Sequence, residues 1–291
     1  MAMKVTQCLV IVKQTALAQG GRAASFARSG DATAKRILHA DAEHQRTNDA
    51  VRQALSKRKI AFSEASLVGL DARVKGQLAI SDLVITIGGD GTALGASHYI
   101  RGGALIGVNS APGDSVGHFC SVNRKNFAER LDAILSGKWK PKELSRLQIA
   151  LDEKPLPELA LNDVLIAHDC PASTTRYLIK VGRREEEHRS SGIWISTAAG
   201  STAGIGSAGG KKMPLGSKRI QYLVRELYRE PKRSYVLTRG FIETGDDITI
   251  ASKMAAGEMY IDGAKTRYEF PFGTRARISA AEFGLKIFLN N

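Results

Sequence analysis

The chain has 291 residues, enough for two domains with separate cores, and its 43% hydrophobic content is that of a globular protein rather than a disordered one. A formal net charge of +13 asks for an anionic partner, but the basic residues are scattered, without aromatic interleaving, a zinc-finger spacing or a helix-turn-helix pattern. A phosphorylated small molecule therefore fits at least as well as a nucleic-acid groove, and no nucleic-acid partner is expected. No apolar run approaches the roughly 20 residues that span a bilayer and the first residues lack a secretion signal, so a cytoplasmic location without a membrane partner is expected.

In chain order, residues 6–13 (TQCLVIVK) are an apolar, β-branched run and a natural first strand. Residues 19–47 are polar and rich in Ala, Arg and Ser, and read as a mobile loop followed by helix. Thr47 is placed to cap a helix over 48–58 whose Val51, Ala54 and Leu55 share one face. Residues 60–68 read as a strand, 71–80 as a short helix, and 83–87 as a strand buried on both faces. Gly88-Gly89-Asp90-Gly91 follows, Thr92 opens a helical segment over 93–100, and residues 104–108 form the next strand. This βαβ rhythm predicts a doubly wound, Rossmann-like parallel-sheet domain over residues 1–140, with ligands at the carboxyl ends of its strands. Residues 126–135 suit a helix.

Beyond Pro141 the segments shorten. Residues 147–151, 177–181, 193–196, 234–237, 248–251 and 259–261 are strand-like and separated by Gly, Pro and charged turns, which predicts an antiparallel β domain over 141–270. Glu185-Glu186-Glu187, flanked by Arg183, Arg184 and Arg189, reads as a solvated hairpin tip. Residues 271–291 are expected to supply closing strands that pack back on the N-terminal domain. Cys8, Cys120 and Cys170 are odd in number and widely spaced, so they indicate reduced thiols and no zinc site, and His168 and Cys170 read as structural.

The chemistry centres on residues 81–95. Glycines at the end of a parallel strand let a phosphate approach backbone amides, and the helix that follows adds its own unpaired N–H groups. A carboxylate inside such a turn repels phosphate, so its use is chemical: Asp90 can accept a proton from an attacking hydroxyl or orient it. The plainer alternative is a helix cap. Gly88-Gly89-Asp90-Gly91-Thr92 resembles the signature shared by NAD kinases, diacylglycerol kinases and sphingosine kinases.

Other residues select among these. Asn162-Asp163 can read a nucleoside through amide and carboxylate, and it resembles the Asn-Glu element by which NAD kinases hold NAD, shortened by one methylene. Residues 195–210 (ISTAAGSTAGIGSAGG) offer amide and hydroxyl donors and resemble an NAD kinase segment, on Thr197, Gly200, Ser201, Thr202, Ala203, Ser207 and Gly209-Gly210. Ala198, Ala199 and Gly204 depart from it, the last where the family has an aromatic, and Ser191 stands where the family has Asp. Gly107-Val108-Asn109, the path from Ser110 to His118, and the Ser190-Ser191-Gly192 triplet are similar to the mitochondrial type of NAD kinase, and Asp262-Gly263 to the family's Asp-Gly turn.

The resemblance implies a kinase that moves the γ-phosphoryl group of ATP to the 2′-hydroxyl of the NAD adenosine ribose. Asp90 is then catalytic, Gly88, Gly89, Gly91 and Thr92 cradle phosphates, and Asn109, His118, Asn162, Asp163, Gly200, Ser201, Thr202, Ala203, Ser207 and Asp262 bind nucleotide. ATP chemistry implies Mg2+ or another divalent cation, although no side chain identifies itself as a metal ligand. The resemblance also implies a homodimer or tetramer. The alternatives are a lipid kinase with the same loop and an NAD-binding sensor that has lost turnover.

Overall fold

The computed structural model describes residues 3–21, 25, 31–113 and 117–290. The chain divides into two compact units, one of Met1–Lys142 with Leu285–Asn291 and one of Glu143–Gly284.

The first unit is built on a parallel sheet. β1 (Cys8–Val12), β2 (Phe62–Ala65), β3 (Leu83–Gly88) and β4 (Ala104–Asn109) lie in the order β2-β1-β3-β4. The chain's last strand, Leu285–Ile287, and the short β5 (Val122–Asn123) both add to β4 in parallel. All six residues of β3 and of β4 are buried, as strands covered on both faces must be. One face carries Val10, Ile85, Ile87, Ile106 and Val108 against Val51 and Leu55 of the helix Ala32–Lys57 and Phe127 and Leu131 of the helix Phe127–Leu135. Each such aliphatic side chain stabilises the fold by roughly 1.5–3 kcal/mol.

The helix before β2 is longer than its periodicity suggests. It runs from Ala32 to Lys57, and its cap is Asp31, whose carboxylate accepts from the Ala34 N–H at 2.8 Å. Thr47, expected as the cap, lies inside the helix with its hydroxyl donating to the Glu43 carbonyl four residues back. Residues 22–24 and 26–30 of the expected loop lie outside the described residues. The helix Ala72–Ile80 starts as predicted, with Asp71 accepting from the Val74 N–H.

After β6 (Lys142–Leu144), where the chain passes out of the first unit, the second unit follows. Its strands are β7 (Leu147–Leu151), β8 (Lys154–Ala160), β9 (Asp163–His168), β10 (Thr175–Val181), β11 (Arg184–Ser190), β12 (Gly192–Ser196), β13 (Ile220–Arg225), β14 (Arg239–Ile242), β15 (Asp247–Ser252), β16 (Gly257–Ile261), β17 (Thr266–Glu269) and β18 (Arg275–Ala280). They form two antiparallel sheets, β11-β10-β15-β18-β7-β8 and β14-β13-β12-β9-β16-β17. Inward residues of both, among them Ile149, Ile166, Tyr177, Ile195, Ile250, Met259 and Ile278, make one core.

Three expectations are corrected here. Glu185, Glu186 and Glu187 are not a hairpin tip but the body of β11. The turn is at Gly182, at φ 58°, and Glu186 accepts from the Val236 and Leu237 N–H groups while Glu187 pairs with Lys253 at 2.7 Å. Those same bonds keep residues 234–237 out of a ladder, and the strand forms instead at Arg239–Ile242. Within the expected closing segment, β18 belongs to the second unit because it is hydrogen-bonded between β15 and β7, and only Leu285–Asn291 returns to the first.

Gly107, in the middle of β4, allows residues 117–120 to lie on the sheet, since a Cβ there would sit 2.3 Å from the Phe119 carbonyl oxygen and 2.9 Å from the Cys120 Cα. Main chain cannot swing aside as a side chain can. Gly107→Ala should therefore cost about 1–3 kcal/mol, read as a lower midpoint of urea unfolding, and an unchanged midpoint would refute this seating.

Candidate functional site

The carboxyl ends of β1, β3 and β4 are neighbours, and the sequence places Lys13, Gly88 and Asn109-Ser110 there. The Lys13 N–H donates to the Ile87 carbonyl at 2.9 Å and the Ser110 N–H to the Gly88 carbonyl at 3.0 Å, so the three chain ends are fastened edge to edge. Gly88 closes β3, and a Cβ on it would lie 2.4 Å from the Thr92 hydroxyl oxygen and 3.0 Å from the Lys13 Cβ. Gly89 caps the helix Asp90–Ser97, and Gly91 in its first turn is exposed with open space around it. The Thr92 N–H turns back to the Gly89 carbonyl at 2.9 Å, and the exposed Gly91 leaves the start of the helix able to meet an anion.

Asp90 is anchored from the other side. Its carboxylate accepts from the His118 N–H at 2.8 Å and the Phe119 N–H at 2.7 Å, one oxygen each. This fixes the orientation of the carboxylate and satisfies two turn amides at once. His118 contributes through its backbone and leaves its ring exposed. Asn109 is buried, its side-chain oxygen accepting from the Ala111 N–H at 3.0 Å. The central part of the path that joins Ser110 to His118, residues 114–116, lies outside the described residues.

Sequence reasoning missed the residues beneath this edge. His44, 2% exposed on the helix Ala32–Lys57, shares a 3.0 Å hydrogen bond between Nδ1 and the Ser110 hydroxyl. Burial holds its pKa below the usual histidine value, with the Lys13 charge adding to the effect and the Lys13 backbone and Asp41 opposing it. Asp41, one helical turn earlier, accepts from the Thr15 hydroxyl. The sequence signal was available in Asp41 and His44 at i,i+3 spacing, but only a continuous helix from Ala32 gives that spacing meaning.

In the second unit, Asn162 and Asp163 sit where β9 begins. Asp262, at φ 50° after β16, accepts from the Leu161 N–H at 2.7 Å, the Asn162 N–H at 2.7 Å and the Asp163 N–H at 2.9 Å. Thr197 holds the same corner: its N–H and its hydroxyl donate to the Asn162 and Leu161 carbonyls at 2.9 and 2.5 Å. Gly200 is required beside them, since a Cβ would lie 2.1 Å from the Asn162 carbonyl oxygen. With its backbone so occupied, the corner leaves two side-chain acceptors unspent. The buried Asn162 Oδ1 has no hydrogen-bond partner among the described residues, and the Asp163 carboxyl, 5% exposed, makes no hydrogen bond or ion pair there. Burial, then the nearby Asp262 charge, raises the Asp163 pKa to about 7.

Asp163 opens onto a cavity of about 560 Å³, whose walls include Leu165, Trp194, Tyr260 and Arg225. Gly204 backs onto the Trp194 ring: a Cβ there would lie 2.9 Å from it, which explains a glycine where an aromatic was expected. The remaining predicted residues divide. Ser201 is buried, its hydroxyl donating to the Ala198 carbonyl and accepting from the Met213 N–H, so it holds the loop. Thr202 and Ser207 are exposed and Ala203 is half-buried between them. Cys170 is exposed at the cavity, whereas Cys8 and Cys120 are buried and their thiols are pushed up to about 12, for Cys120 by burial first and Asp90 second. Among the described residues there is no cluster of three or more His, Cys, Asp or Glu able to hold a metal ion, and no helix long and apolar enough to cross a membrane.

Comparison with known proteins places this arrangement among relatives. Residues 53–139 match the ATP-NAD kinase N-terminal domain. A probable NADH kinase of Oryza sativa subsp. japonica is 37% identical over 230 residues, covering 72% of this chain and 71% of that protein. An NADH kinase of Arabidopsis thaliana is 33% identical over 233 residues, covering 72% and 73%. The fold is shared with an NAD kinase from Archaeoglobus fulgidus in complex with ATP, at TM-score 0.68, 18% identity and coverage of 98% and 94%. It is shared equally with yeast NADH kinase complexed with NADH, at TM-score 0.69, 15% identity and coverage of 99% and 84%.

The raised Asp163 pKa has a thermodynamic sign. The folded protein keeps a proton that the unfolded chain releases between about pH 4 and pH 7, so the stability owed to this group falls as pH rises through that window and levels off above it. Asp163→Asn should leave stability unchanged near pH 4 and raise it at pH 8 by a few kcal/mol, with about 4 as the ceiling. Urea unfolding at the two pH values measures this, and an equal effect at both would contradict it.

Proposed function

The chain belongs to the NAD kinase family and is an ATP-dependent NAD(H) kinase, and on that premise we propose that Asp90 is its catalytic carboxylate, receiving or orienting the proton of the acceptor's 2′-hydroxyl. The observation that carries this is the pair of amide bonds to Asp90: two N–H groups hold the carboxylate in one orientation inside a phosphate-accepting turn. Each carboxylate oxygen keeps a further lone pair for a hydroxyl proton. Gly88, Gly89, Gly91 and Thr92 cradle the donor's phosphates in this reading, Thr92 through its hydroxyl because its N–H donates to the Gly89 carbonyl at 2.9 Å, and oriented dipoles cost no reorganisation during transfer.

The acceptor is assigned to the corner at β9. Asn162 Oδ1 and the Asp163 carboxyl are the unspent acceptors there, suited to a base amine and a ribose hydroxyl. Trp194 and Tyr260 offer flat apolar walls. Thr202, Ala203, Ser207, Asn109 and His118 remain nucleotide contacts in this proposal, while Gly200, Ser201 and Asp262 act by shaping the loops. Both relatives that match 72% of the chain are named NADH kinases, which favours the reduced acceptor.

A divalent cation fits this donor set only as an ion carried chiefly by the nucleotide's own phosphates, with Asp90 the carboxylate at the turn. When bound, Mg2+ neutralises phosphoryl charge. A homodimer or tetramer in the cytoplasm completes the proposal, and light scattering of the purified protein tests the first part.

Two outcomes are expected from steady-state kinetics with ATP, Mg2+ and either dinucleotide. The ratio of kcat/KM for NADH to that for NAD should exceed one; a ratio below one removes the preference. Asp90→Asn should lower kcat by about 10²- to 10⁴-fold with smaller changes in either KM. It should also cost on the order of 1 kcal/mol of stability, because one turn amide loses its acceptor. Near-normal kcat with lowered stability would make Asp90 a turn anchor alone.

A further inference from the structure

Resting on the reading of residues 88–92 as the donor's phosphate loop, we propose that Lys13 is the side chain that grips the donor's phosphate chain. Lys13 is the first residue past β1, and the β1–β3 register, Val12 opposite Ile87, sets it beside Gly88. Its own N–H donates to the Ile87 carbonyl, so its Cα is tied to the strand that ends in the glycine turn. Where its side chain starts is set by Gly88. A Cβ on that glycine would meet the Thr92 hydroxyl and the Lys13 Cβ together, so the stem of Lys13 starts against the buried Gly88, on the same side as Thr92.

The charge at this position is available. Lys13 is exposed, and among the described residues it makes no ion pair. The carboxylates nearby are already engaged: Asp90 by the His118 and Phe119 amides, Asp41 by the Thr15 hydroxyl. His44, the other basic side chain beneath this edge, is buried and disfavoured as a cation. Lys13 thus stands beside the glycine turn as an ammonium with no ion-pair partner among the described residues. An ammonium on a flexible stem suits phosphate oxygens as a point charge that can follow them as negative charge shifts. The ligand it fits is the polyphosphate of a nucleoside triphosphate, and its target is phosphate rather than base or ribose.

The test combines kinetics with a minimal probe, inorganic tripolyphosphate, used as a competitor against ATP. Lys13→Met should raise both the KM for ATP and the inhibition constant of tripolyphosphate about 10- to 100-fold, with the KM for NADH within twofold. Lys13→Arg should restore most of the loss. Because Lys13 is exposed and unpaired, neither variant should move the unfolding midpoint. Lys180→Met, on β10 in the other unit, controls for net charge and should change nothing. An ATP KM and kcat within twofold of the parent in Lys13→Met overturns the proposal, as does equal loss for both nucleotides. If tripolyphosphate fails to compete in the parent protein, the assignment of residues 88–92 to phosphate is what fails, and Lys13 falls with it.

Discussion

Backbone N–H groups left over where strands turn must find acceptors, and in this chain carboxylates supply them. Asp262 takes three amides at the start of β9, Asp90 takes two in the turn that covers β4, Asp82 takes two before β1, and Glu186 takes two from the segment before β14. Each is a charge-assisted bond, worth roughly 1.5–3 kcal/mol. Each also joins segments far apart in sequence. Loops that would otherwise be free to move are stitched to the sheets by anions, and the two candidate sites are built on two of these stitches.

That arrangement changes how the electrostatics of the chain should be read. The formal charge of +13 counts every carboxylate as a free counter-charge, but those bound to backbone amides have part of their field spent on local dipoles. Near the glycine turn the positive side gains most. A helix N-terminus and an exposed lysine that makes no ion pair among the described residues stand there, while Asp90 and Asp41 are held by hydrogen bonds. The anion-binding edge proposed above lies in a region that, counted by residues alone, looks nearly balanced.

The parallel sheet and the glycine turn were legible in the sequence because their signals are local. A β-branched apolar run followed by three glycines reads as strand and turn wherever it occurs, and residues 71–80 read as the short helix that forms over Ala72–Ile80. What stayed hidden depends on partners distant in the chain. Glu186 looks like part of a charged tip until Val236 and Leu237, fifty residues on, are brought to it. The helix Ala32–Lys57 hid behind a polar composition with weak periodicity, and its Asp31 cap was not recognised as a start. Asp163 could be picked as a nucleoside-binding candidate from its neighbours Asn162 and Val164, but its raised pKa could not, since that needs burial and Asp262, a hundred residues later.

The corner at β9 differs from those stitches. Asp262, Asp90, Asp82 and Glu186 are spent on amides, whereas among the described residues the Asn162 Oδ1 and the Asp163 carboxyl accept from nothing, even though Asp262 and Thr197 satisfy the backbone around them. Leaving a buried polar group unmatched costs about 1–3 kcal/mol, and folding could have removed that cost with an apolar pair of the same size. It did not, and of the two neighbours Asp163 lines a cavity with aromatic walls. Unsatisfied polarity held rigid by satisfied backbone is what a recognition site requires: the partner supplies the missing donors, and the stability forgone by the empty protein is recovered as selectivity for a ligand that carries them.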